Sequence, residues 1–515
     1  MVVTARLVAI AVAGALVAAC QPPPSATVST VSARAPLTAS LLIEDVTVID
    51  PETRQVLPHQ DVLIDGERIA AVIPHASRDV DAVQTVDGAG RYLMPGLFDM
   101  HSHSSFAPVH RSTLKLMRAN GVTAVREMGS DCKDGPGAMT MCLDAMHAAR
   151  ASIDAADLVG PRLVQLSSFK LNSNRPDDAD ERIAAYTPTT AAEAAVSVDY
   201  LAGRGAELIK ISEEMTPDAV RGLFAAANER GIAVGGHVPL MFSVGELAAM
   251  GLRSVEHARD LPVDCSTRGP AFRAEVGTAL RGEGEWPDRR ALPAQARDTF
   301  DAARCAEQVA AMARHGTYYV PTHLTREFDV RAGEAAYVND ERRQYLPAMQ
   351  LDHWRGDIER TASVPEAMRA DLVDFFDLGL RTTRIAHEAG VKVMVGTDAN
   401  DTMIFPGFSV HDEMRHLVAA GLSEMDVLRA ATTVPAEYLG RTSDFGGVSA
   451  GKIADLLLLD ASPLTDIGNS DAIVAVVFGG RLDDRATLDR YLAEVRDWVA
   501  MANAQAGREG GGDTD

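Results

Sequence analysis

The chain has 515 residues, which suggests more than one domain, although a single barrel can absorb most of this length. Hydrophobic residues make up 46% of the sequence and charged residues 23%, the ordinary balance of a globular protein with a large core. The 72 Asp and Glu residues outnumber the 49 Lys and Arg residues, giving a net charge of −23, and no basic patch stands out, so the sequence argues against a nucleic-acid partner.

The first 20 residues have the organisation of an export signal. Arg6 precedes an apolar run that ends in Val17-Ala-Ala-Cys20, and this run is too short for a comfortable membrane span. The ending resembles a bacterial lipobox, which predicts that Cys20 is lipidated and that a lipid anchor is the sole membrane contact. The alternative is an ordinary cleaved signal. We therefore expect an exported protein, in the bacterial periplasm or on the outer surface, with residues 21–39 as a flexible tether.

Four cysteines remain if Cys20 carries lipid, and an exported protein can join them in disulfides. Sequence proximity favours the pairs Cys132–Cys142 and Cys265–Cys305 over the two other connectivities. A cysteine metal site is less favoured because no Cys-x-x-Cys spacing occurs.

Strand-like alternation occurs near both ends of the chain. Asp65-Gly66 is a two-residue hairpin signal between two of the early strands. Strands at both ends with a different pattern between them predict one small β-sandwich domain, built from residues 40–95 and 441–482. The strands expected in it are Leu41–Asp50, Asp61–Asp65, Arg68–Ile73, Ala454–Asp460 and Ile473–Gly480.

The central region, residues 96–440, alternates short β-rich runs with helical ones, as (β/α) units do. Eight strands are expected, the number of a closed barrel, so the predicted fold class is α/β with a (β/α)8 TIM-type barrel. The strands are the one carrying His101, then Thr123–Glu127, Arg162–Ser167, Glu207–Ile211, Ile232–His237, Ser254–His257, Thr317–Pro321 and Lys392–Thr397.

Helical patterns lie between or after these strands, including Pro217–Arg230 and Ser423–Leu439. A long insertion around residues 259–378 holds one of the strands and exceeds ordinary connections, so we expect it to cap or line the site. Residues 483–506 are expected to form a C-terminal helix and residues 507–515 a disordered tail.

Two histidines one residue apart end the first barrel strand. Side chains at i and i+2 of a strand share a face, so His101 and His103 can converge on one metal ion. A bare His-x-His is more often an exposed pair near a turn. A metal site is favoured here because other polar residues also close strands, at the barrel end where active sites lie. These residues are Lys210, His237, His257 and Asp398.

Taken together, these motifs resemble the amidohydrolase superfamily, specifically its imidazolonepropionase-like and prolidase-like branch. The resemblance runs from Leu41 to Gly480, and it is specific for the superfamily but not for a substrate. The matching motifs are Met94-Pro-Gly-Leu-Phe-Asp-Met-His-Ser-His103, Lys210, His237-Val-Pro, Val255-Glu-His257, Gly396-Thr-Asp-Ala399 and Gly451-Lys-Ile-Ala-Asp-Leu456.

The resemblance implies a divalent metal centre, with two Zn²⁺ per chain. A carboxylated lysine would bridge the ions, since a carbamate offers anionic oxygens where an ammonium would be repelled. The alternative for this lysine is a surface salt bridge with Glu213 or Glu214, which would leave one metal. By position, the resemblance assigns the first metal to His101, His103 and Asp398. It assigns the second metal to His237 and His257, and the bridge between the two metals to Lys210.

The implied reaction is hydrolysis of an amide or peptide-like C–N bond by metal-activated water. Asp398 would take the proton from the water and pass it to the leaving amine. A dipeptide or N-acyl amino acid is the expected small-molecule substrate. Candidate substrate-binding residues, after the third strand and on or after the seventh, are Lys170, Asn172, Tyr318, Tyr319 and His323.

Three other functions compete with this prediction. Deaminases of the superfamily typically place a proton-shuttling Glu three residues after the fifth-strand histidine, where this chain has Leu240. A one-metal hydrolase of imidazolone-type cyclic amides fits poorly with export. A non-catalytic binding lipoprotein fits poorly with retention of every ligand type. The sequence leaves open whether the chain forms a homo-oligomer.

Overall fold

The structure is a computed structural model that describes residues 36–509, apart from 134 and 136–138. The predicted signal at 1–20, with Cys20, lies outside the described residues, as do most of the predicted tether and the end of the predicted tail. Among the helices described, none combines the length and apolar character needed to cross a membrane.

Strands are found at both ends of the chain and in its centre. Within the described residues they are β1 (Leu37–Asp50), β2 (Gln55–Asp65), β3 (Arg68–Pro74), β4 (Val80–Asp87), β5 (Tyr92–Pro95), β6 (Leu97–Ser102), β7 (Val122–Glu127), β8 (Arg162–Leu166), β9 (Leu208–Ile211), β10 (Ala233–Gly236), β11 (Leu252–Glu256), β12 (Tyr318–Val320), β13 (Leu456–Leu459), β14 (Ile473–Phe478) and β15 (Arg481–Asp484).

Strands from both ends of the chain share one sheet, in the order β15-β14-β13-β5-β1-β2-β3, with β4 parallel to β1. β1 begins at Leu37, inside the stretch predicted as tether. The turn between β2 and β3 contains Gly66 at φ +56°, a conformation that glycine adopts without steric cost. The sequence predicts a sandwich, whereas the structure has a single sheet that branches at β1.

The central strands form two parallel sheets, β6-β7-β8 and β12-β11-β10-β9. Every residue of β6, β7 and β9 is buried, as expected for parallel strands covered by helices. Isolated bridges connect the sheet edges, among them Ser167–Leu208, Tyr319–Val393 and Ser102–Ala399. The seven strands from β6 to β12 follow the predicted order, with ends that differ by a few residues.

The predicted eighth strand of the barrel, Lys392–Thr397, does not form a regular strand. The central strands therefore do not form a continuously closed barrel. Part of its backbone pairing is replaced by a side chain. The Asp99 carboxylate accepts hydrogen bonds from the Thr397 N–H at 3.0 Å and the Thr397 hydroxyl at 2.6 Å. The segment still lies between β12 and β6, because the Met394 N–H donates to Tyr319 and the Met100 N–H donates to Val395.

Helices surround the central sheets, with short 3₁₀ turns at Ala107–Val109, Glu341–Tyr345 and Ile467–Asp471. The α-helices within the described residues are α1 (His110–Ala119), α2 (Leu143–Asp154), α3 (Glu181–Tyr186), α4 (Ala191–Gly203), α5 (Pro217–Arg230), α6 (Val244–Met250), α7 (Asp260–Asp264), α8 (Arg268–Leu280), α9 (Leu292–Asp298), α10 (Ala302–His315), α11 (His323–Arg331), α12 (Ala335–Val338), α13 (Ala348–Ala362), α14 (Glu366–Glu388), α15 (Phe408–Ala419), α16 (Glu424–Ala430), α17 (Thr433–Tyr438) and α18 (Arg485–Glu509).

Capping residues and a proline explain why the structure agrees with one predicted helical stretch and divides another. The helix predicted at Pro217–Arg230 is confirmed as α5, which has the Thr216 side chain as its N-cap and Gly231 in the left-handed conformation at its end. The helical stretch predicted at Ser423–Leu439 is divided into α16 and α17, with Ala431 and Thr432 between them. Pro435 lacks an N–H and would clash with the preceding turn of a continuous helix.

The region around the predicted insertion is mostly helical and holds α7–α14, with β12 between α10 and α11. At the carboxyl end, α18 continues to Glu509, beyond the predicted helix end at residue 506. The last strand of the terminal sheet, β15, ends at Asp484, and the C-terminal helix α18 begins at the next residue.

Candidate metal centre

The six predicted metal ligands lie at the carboxyl ends of the central strands. His101 is the fifth residue of β6, Lys210 lies in β9, and His257 directly follows β11. His103, His237 and Asp398 likewise follow β6, β10 and the irregular eighth segment. Parallel strands bring these positions to one end of the sheets, as the sequence predicts.

Asp398 is the centre of the cluster. Its Oδ1 lies 3.0 Å from His103 Nε2 and 3.2 Å from His101 Nε2, and its Oδ2 lies 3.7 Å from His257 Nδ1. His237 Nε2 lies 3.1 Å from His257 Nε2. Single donor atoms of His101, His257 and Asp398 all lie within 4.8 Å of one another, which is close enough to share one ion.

The imidazoles of the cluster are suited to metal binding. Burial, with smaller effects from neighbouring charges, holds the pKa of His237 and that of His257 well below the ordinary value. Both rings are therefore neutral near pH 7, which is the form that binds metals. Burial opposes ionisation of Asp398, but the charge of His101 and the hydrogen bonds from His101 and His103 outweigh it and hold the pKa of Asp398 well below the usual range.

Lys210 is only 3% exposed, and its Nζ lies 3.5 Å from His101 Nε2. Burial lowers its pKa to about 8. The surface salt bridge considered as an alternative is wrong, because Glu213 pairs with Arg259 and Arg289 instead. Glu214 accepts a hydrogen bond from the Asn174 amide. Lys210 thus faces the cluster rather than the surface.

A fully buried carboxylate that the sequence did not predict orients His101. Glu256 Oε2 lies 2.8 Å from His101 Nδ1, and both Glu256 oxygens accept hydrogen bonds from the Arg126 guanidinium at 2.8 and 2.9 Å. Burial acts to raise the pKa of Glu256, but Arg126 and His101 lower it to about 2. A His101 Nδ1–H that donates to Glu256 leaves Nε2 free to bind metal.

Two more buried carboxylates hold the loops of the site. Asp99 accepts hydrogen bonds from the His101 N–H and from Thr397, and burial raises its pKa to about 6. Glu127 accepts from the Ser104 and Ser105 hydroxyls, at 2.5 and 3.0 Å. The only sequence signal for them is an acidic residue inside or at the end of an apolar strand.

A cavity of about 660 Å³ opens beside the donors. Five of the six predicted ligands line it: His103, Lys210, His237, His257 and Asp398. Apolar side chains form much of its wall. These are Phe106, Met128, Met139, Phe169, Met349 and Trp354.

Of the five predicted substrate-binding residues, Lys170 lines this cavity and the other four do not. The Asn172 side chain accepts from the Asn174 N–H at 2.8 Å. Tyr318 packs edge-on against Tyr438, and Tyr319 is fully buried in the main core. His323 Nε2 lies 3.1 Å from the Thr383 hydroxyl. The structure therefore places the side chains of these four residues against a neighbouring loop or helix or in the core, and not at the cavity.

Residues from α13 and from the loop after Asp398 complete the cavity wall. α13 contributes Gln350, His353 and Trp354, and the loop contributes Asn400 and Asp401. The long insertion therefore lines the site, as expected, but its contributing residues could not be chosen from sequence because helix packing decides them.

Both cysteine pairs favoured by sequence proximity are joined in the structure. One disulfide links Cys132 to Cys142, and the other links Cys265, after α7, to Cys305 in α10. The first lies in the loop between β7 and α2, and the second holds two helices of the insertion together.

Comparison with known proteins identifies the family. Residues 92–482 match the amidohydrolase family, and the chain belongs to it. It is 30% identical over 247 residues to an adenine deaminase of Chelativorans sp. (strain BNC1), a match that covers 47% of this chain and 38% of the deaminase. The chain thus spans well under half the length of that curated relative.

Solved structures show the same fold at low sequence identity. A bottromycin amidohydrolase superposes with a TM-score of 0.64 at 22% identity, covering 89% of this chain and 90% of the other. A Xaa-Pro dipeptidase with bound methionine in its active site superposes with a TM-score of 0.61 at 21% identity, covering 86% and 99%. At this level of identity, the likeness establishes the fold.

Proposed function

We propose that this chain is a metal-dependent hydrolase of amide C–N bonds, acting on dipeptides or N-acyl amino acids. The observation that carries the proposal is the set of donors of His101, His257 and Asp398, which converge within 4.8 Å beside a cavity in a member of the amidohydrolase family. A Xaa-Pro dipeptidase among the fold neighbours supports a peptide-like substrate.

The donor set fits divalent metal. Zinc prefers neutral imidazole and carboxylate ligands, and both are present. Lys210 is buried and forms no ion pair with another described residue, which suits its conversion to a carbamate. We assign a first Zn²⁺ to His101, His103 and Asp398, and a second to His237 and His257. The carboxylated Lys210 would bridge them.

A metal held by these residues would lower the pKa of a bound water and polarise the scissile carbonyl. Asp398, ionised at neutral pH, accepts the proton of the attacking water and transfers it to the leaving nitrogen. Water adds to the carbonyl carbon and forms the C–O bond; the C–N bond then breaks as the leaving nitrogen receives the proton from Asp398, and the products are a carboxylate and an amine. Glu256 holds His101 in the tautomer that presents Nε2, while the apolar cavity wall excludes bulk water.

Deamination is less well supported. The partial likeness to adenine deaminase favours it, but Leu240 occupies the position where a proton-shuttling Glu is expected and does not line the cavity. A one-metal cyclic-amide hydrolase would need the same cluster without Lys210. Retention of all six predicted ligand types argues against a non-catalytic binding protein.

The test is a substrate panel on purified protein lacking residues 1–20, with metal content measured in parallel. The panel contains dipeptides, N-acyl amino acids, an imidazolone-type cyclic amide and adenine. We expect hydrolysis of at least one linear amide, lost on chelation and restored by zinc. Activity on adenine or the cyclic amide alone would contradict the proposal, as would full activity of metal-free protein.

We also propose that the chain is exported and anchored through a lipid on Cys20. The lipobox-like ending of the apolar run supports this. In the native bacterium, the protein should fractionate with membranes and carry lipid on Cys20 by mass spectrometry. Cys20→Ser should release it from the membrane fraction, and a Cys20→Ser protein that stays bound would contradict the anchor.

A further inference from the structure

The cavity holds two charged side chains that the proposed mechanism leaves without a role. Lys170 follows β8, and Asp401 follows the segment that ends at Asp398. Both are exposed to the cavity, and neither forms an ion pair with another described residue. An unpaired cation and an unpaired anion in one pocket suit a ligand that carries both charges.

The two charges approach the metal donors from different sides. The Leu171 N–H donates to the Lys210 carbonyl oxygen at 2.9 Å, so the adjacent Lys170 lies on the Lys210 side of the cluster. The Asp401 N–H donates to the Asp398 carbonyl oxygen at 2.8 Å, which places Asp401 on the Asp398 side.

Asp401 is oriented for binding. The Thr402 N–H donates to its Oδ1 at 2.7 Å, which leaves Oδ2 without a hydrogen-bond partner among the described residues. Lys170 offers three donors on a flexible four-carbon stem, which can adjust to a carboxylate.

We propose that the site selects free dipeptides, with Asp401 binding the α-ammonium group and Lys170 binding the terminal carboxylate. This inference rests on the proposed amide hydrolysis. In a dipeptide the amide lies between two opposite charges that are at most about 7 Å apart along the chain. In the cavity, Lys170 adjoins the Lys210 side of the metal donors and Asp401 adjoins the Asp398 side.

Other substrates of the same reaction lack one of these features. An N-acyl amino acid has no ammonium group for Asp401, and a longer peptide moves one terminus away from the scissile bond. The neighbouring side chains Phe106, Phe169 and Trp354 favour apolar residues in the dipeptide.

The experiment measures binding without hydrolysis. A ketomethylene isostere of Leu-Phe, in which CH₂ replaces the amide nitrogen, is titrated calorimetrically into zinc-loaded protein. Its N-acetylated form and its C-terminal amide form are compared with the free form. Because a charge-assisted hydrogen bond is lost in each, we expect each block to weaken binding by about ten- to a hundredfold.

Variants assign each penalty to one residue. Asp401→Asn should remove the penalty for N-acetylation and keep the penalty for amidation, and Lys170→Gln should do the reverse. Asp352→Asn and Lys115→Gln, which change charge outside the cavity, should keep both penalties. Equal binding of free and blocked isosteres by the unchanged protein overturns the inference, as does loss of both penalties in either variant.

This outcome is separable from the proposed function. Hydrolysis of linear amides is scored in the substrate panel, whereas dipeptide selection is scored by isostere binding. A protein that cleaves blocked and free dipeptides equally well keeps the hydrolase function and loses the inference.

Discussion

Asp398 has a backbone conformation that limits which residue can replace it. Its φ is +70°, in the left-handed region where Asn is tolerated better than most other residues. Asp398→Asn keeps the shape and one oxygen donor, so the protein should fold. Because a general base is lost, we expect kcat to fall about a hundred- to ten-thousandfold on a cleaved amide.

Asp460→Asn is the matched control for this variant. Asp460 is exposed, lies 3.8 Å from Arg91 and does not line the cavity. Its kcat should equal that of the unchanged protein, with metal content measured for both variants. An Asp398→Asn protein that turns over within a few-fold of the original would place the catalytic base elsewhere.

Glu256 is expected to matter for stability as well as for His101. It pairs with Arg126 where neither side chain is exposed, so Glu256→Gln leaves a buried cation without its counter-charge. Breaking such a pair typically costs about 3–5 kcal/mol. We therefore expect a lower free energy of unfolding by urea denaturation.

Glu494→Gln is the control for that measurement. Glu494 pairs with Lys115 at the surface, where an ion pair contributes about 0–1 kcal/mol. Equal destabilisation by the two substitutions would mean that burial of the Glu256–Arg126 pair has no special energetic weight.

At the residue scale, the donors could be predicted and their supports could not. His101 and His103 share a strand face by simple alternation, and Asp398 closes an apolar run. Glu256 belongs to a quoted motif, but its partner Arg126 lies 130 residues earlier. Such a pairing depends on which strands meet, which a single sequence does not specify.

At the scale of elements, the ends of helix α5 could be predicted from local capping residues, whereas the packing of strands and helices around the site could not be predicted. Thr216, Pro217 and Gly231 mark α5 by local rules that hold in any context. The seventh strand is only three residues long, and Tyr318 and Tyr319 on it both face packed side chains rather than the cavity. Which helix of the insertion faces the site depends on contacts between distant segments, so α13 could not be chosen in advance.

The two disulfides should stabilise the elements they join to different extents. Their cysteines are separated by 40 and 10 residues in sequence. In the loop-entropy model this corresponds to about 4 and about 3 kcal/mol. The double variant Cys265→Ala/Cys305→Ala should therefore lose more unfolding free energy in urea than Cys132→Ala/Cys142→Ala.

Mass mapping of the unchanged, unreduced protein supplies the control for these variants. It should recover both linked peptide pairs. If all four thiols react with an alkylating agent in the folded exported protein, neither disulfide is present.

On the scale of the whole molecule, the central strands form two sheets joined by isolated bridges rather than one closed sheet. The metal donors lie on both sides of this division. His101 belongs to the three-stranded sheet, whereas Lys210 and His257 belong to, or directly follow, strands of the four-stranded one. Bound metal would therefore connect parts of the chain that the backbone ladders connect only weakly.

This arrangement predicts that metal stabilises the entire fold. We expect close to two zinc ions per chain in protein lacking residues 1–20, and a Tm that falls when a chelator removes them. A ligand that binds only the folded state at a hundred times its Kd contributes about 2.7 kcal/mol. Lys210→Met should retain about one ion and an intermediate Tm, because the bridging ligand is lost while the histidines remain. Elemental analysis and calorimetric melting are made on the same samples, with Lys115→Gln as the control for loss of a lysine charge. An unchanged metal content in Lys210→Met would exclude the bridging role, and a Tm insensitive to chelation would show that the metal does not connect the two sheets.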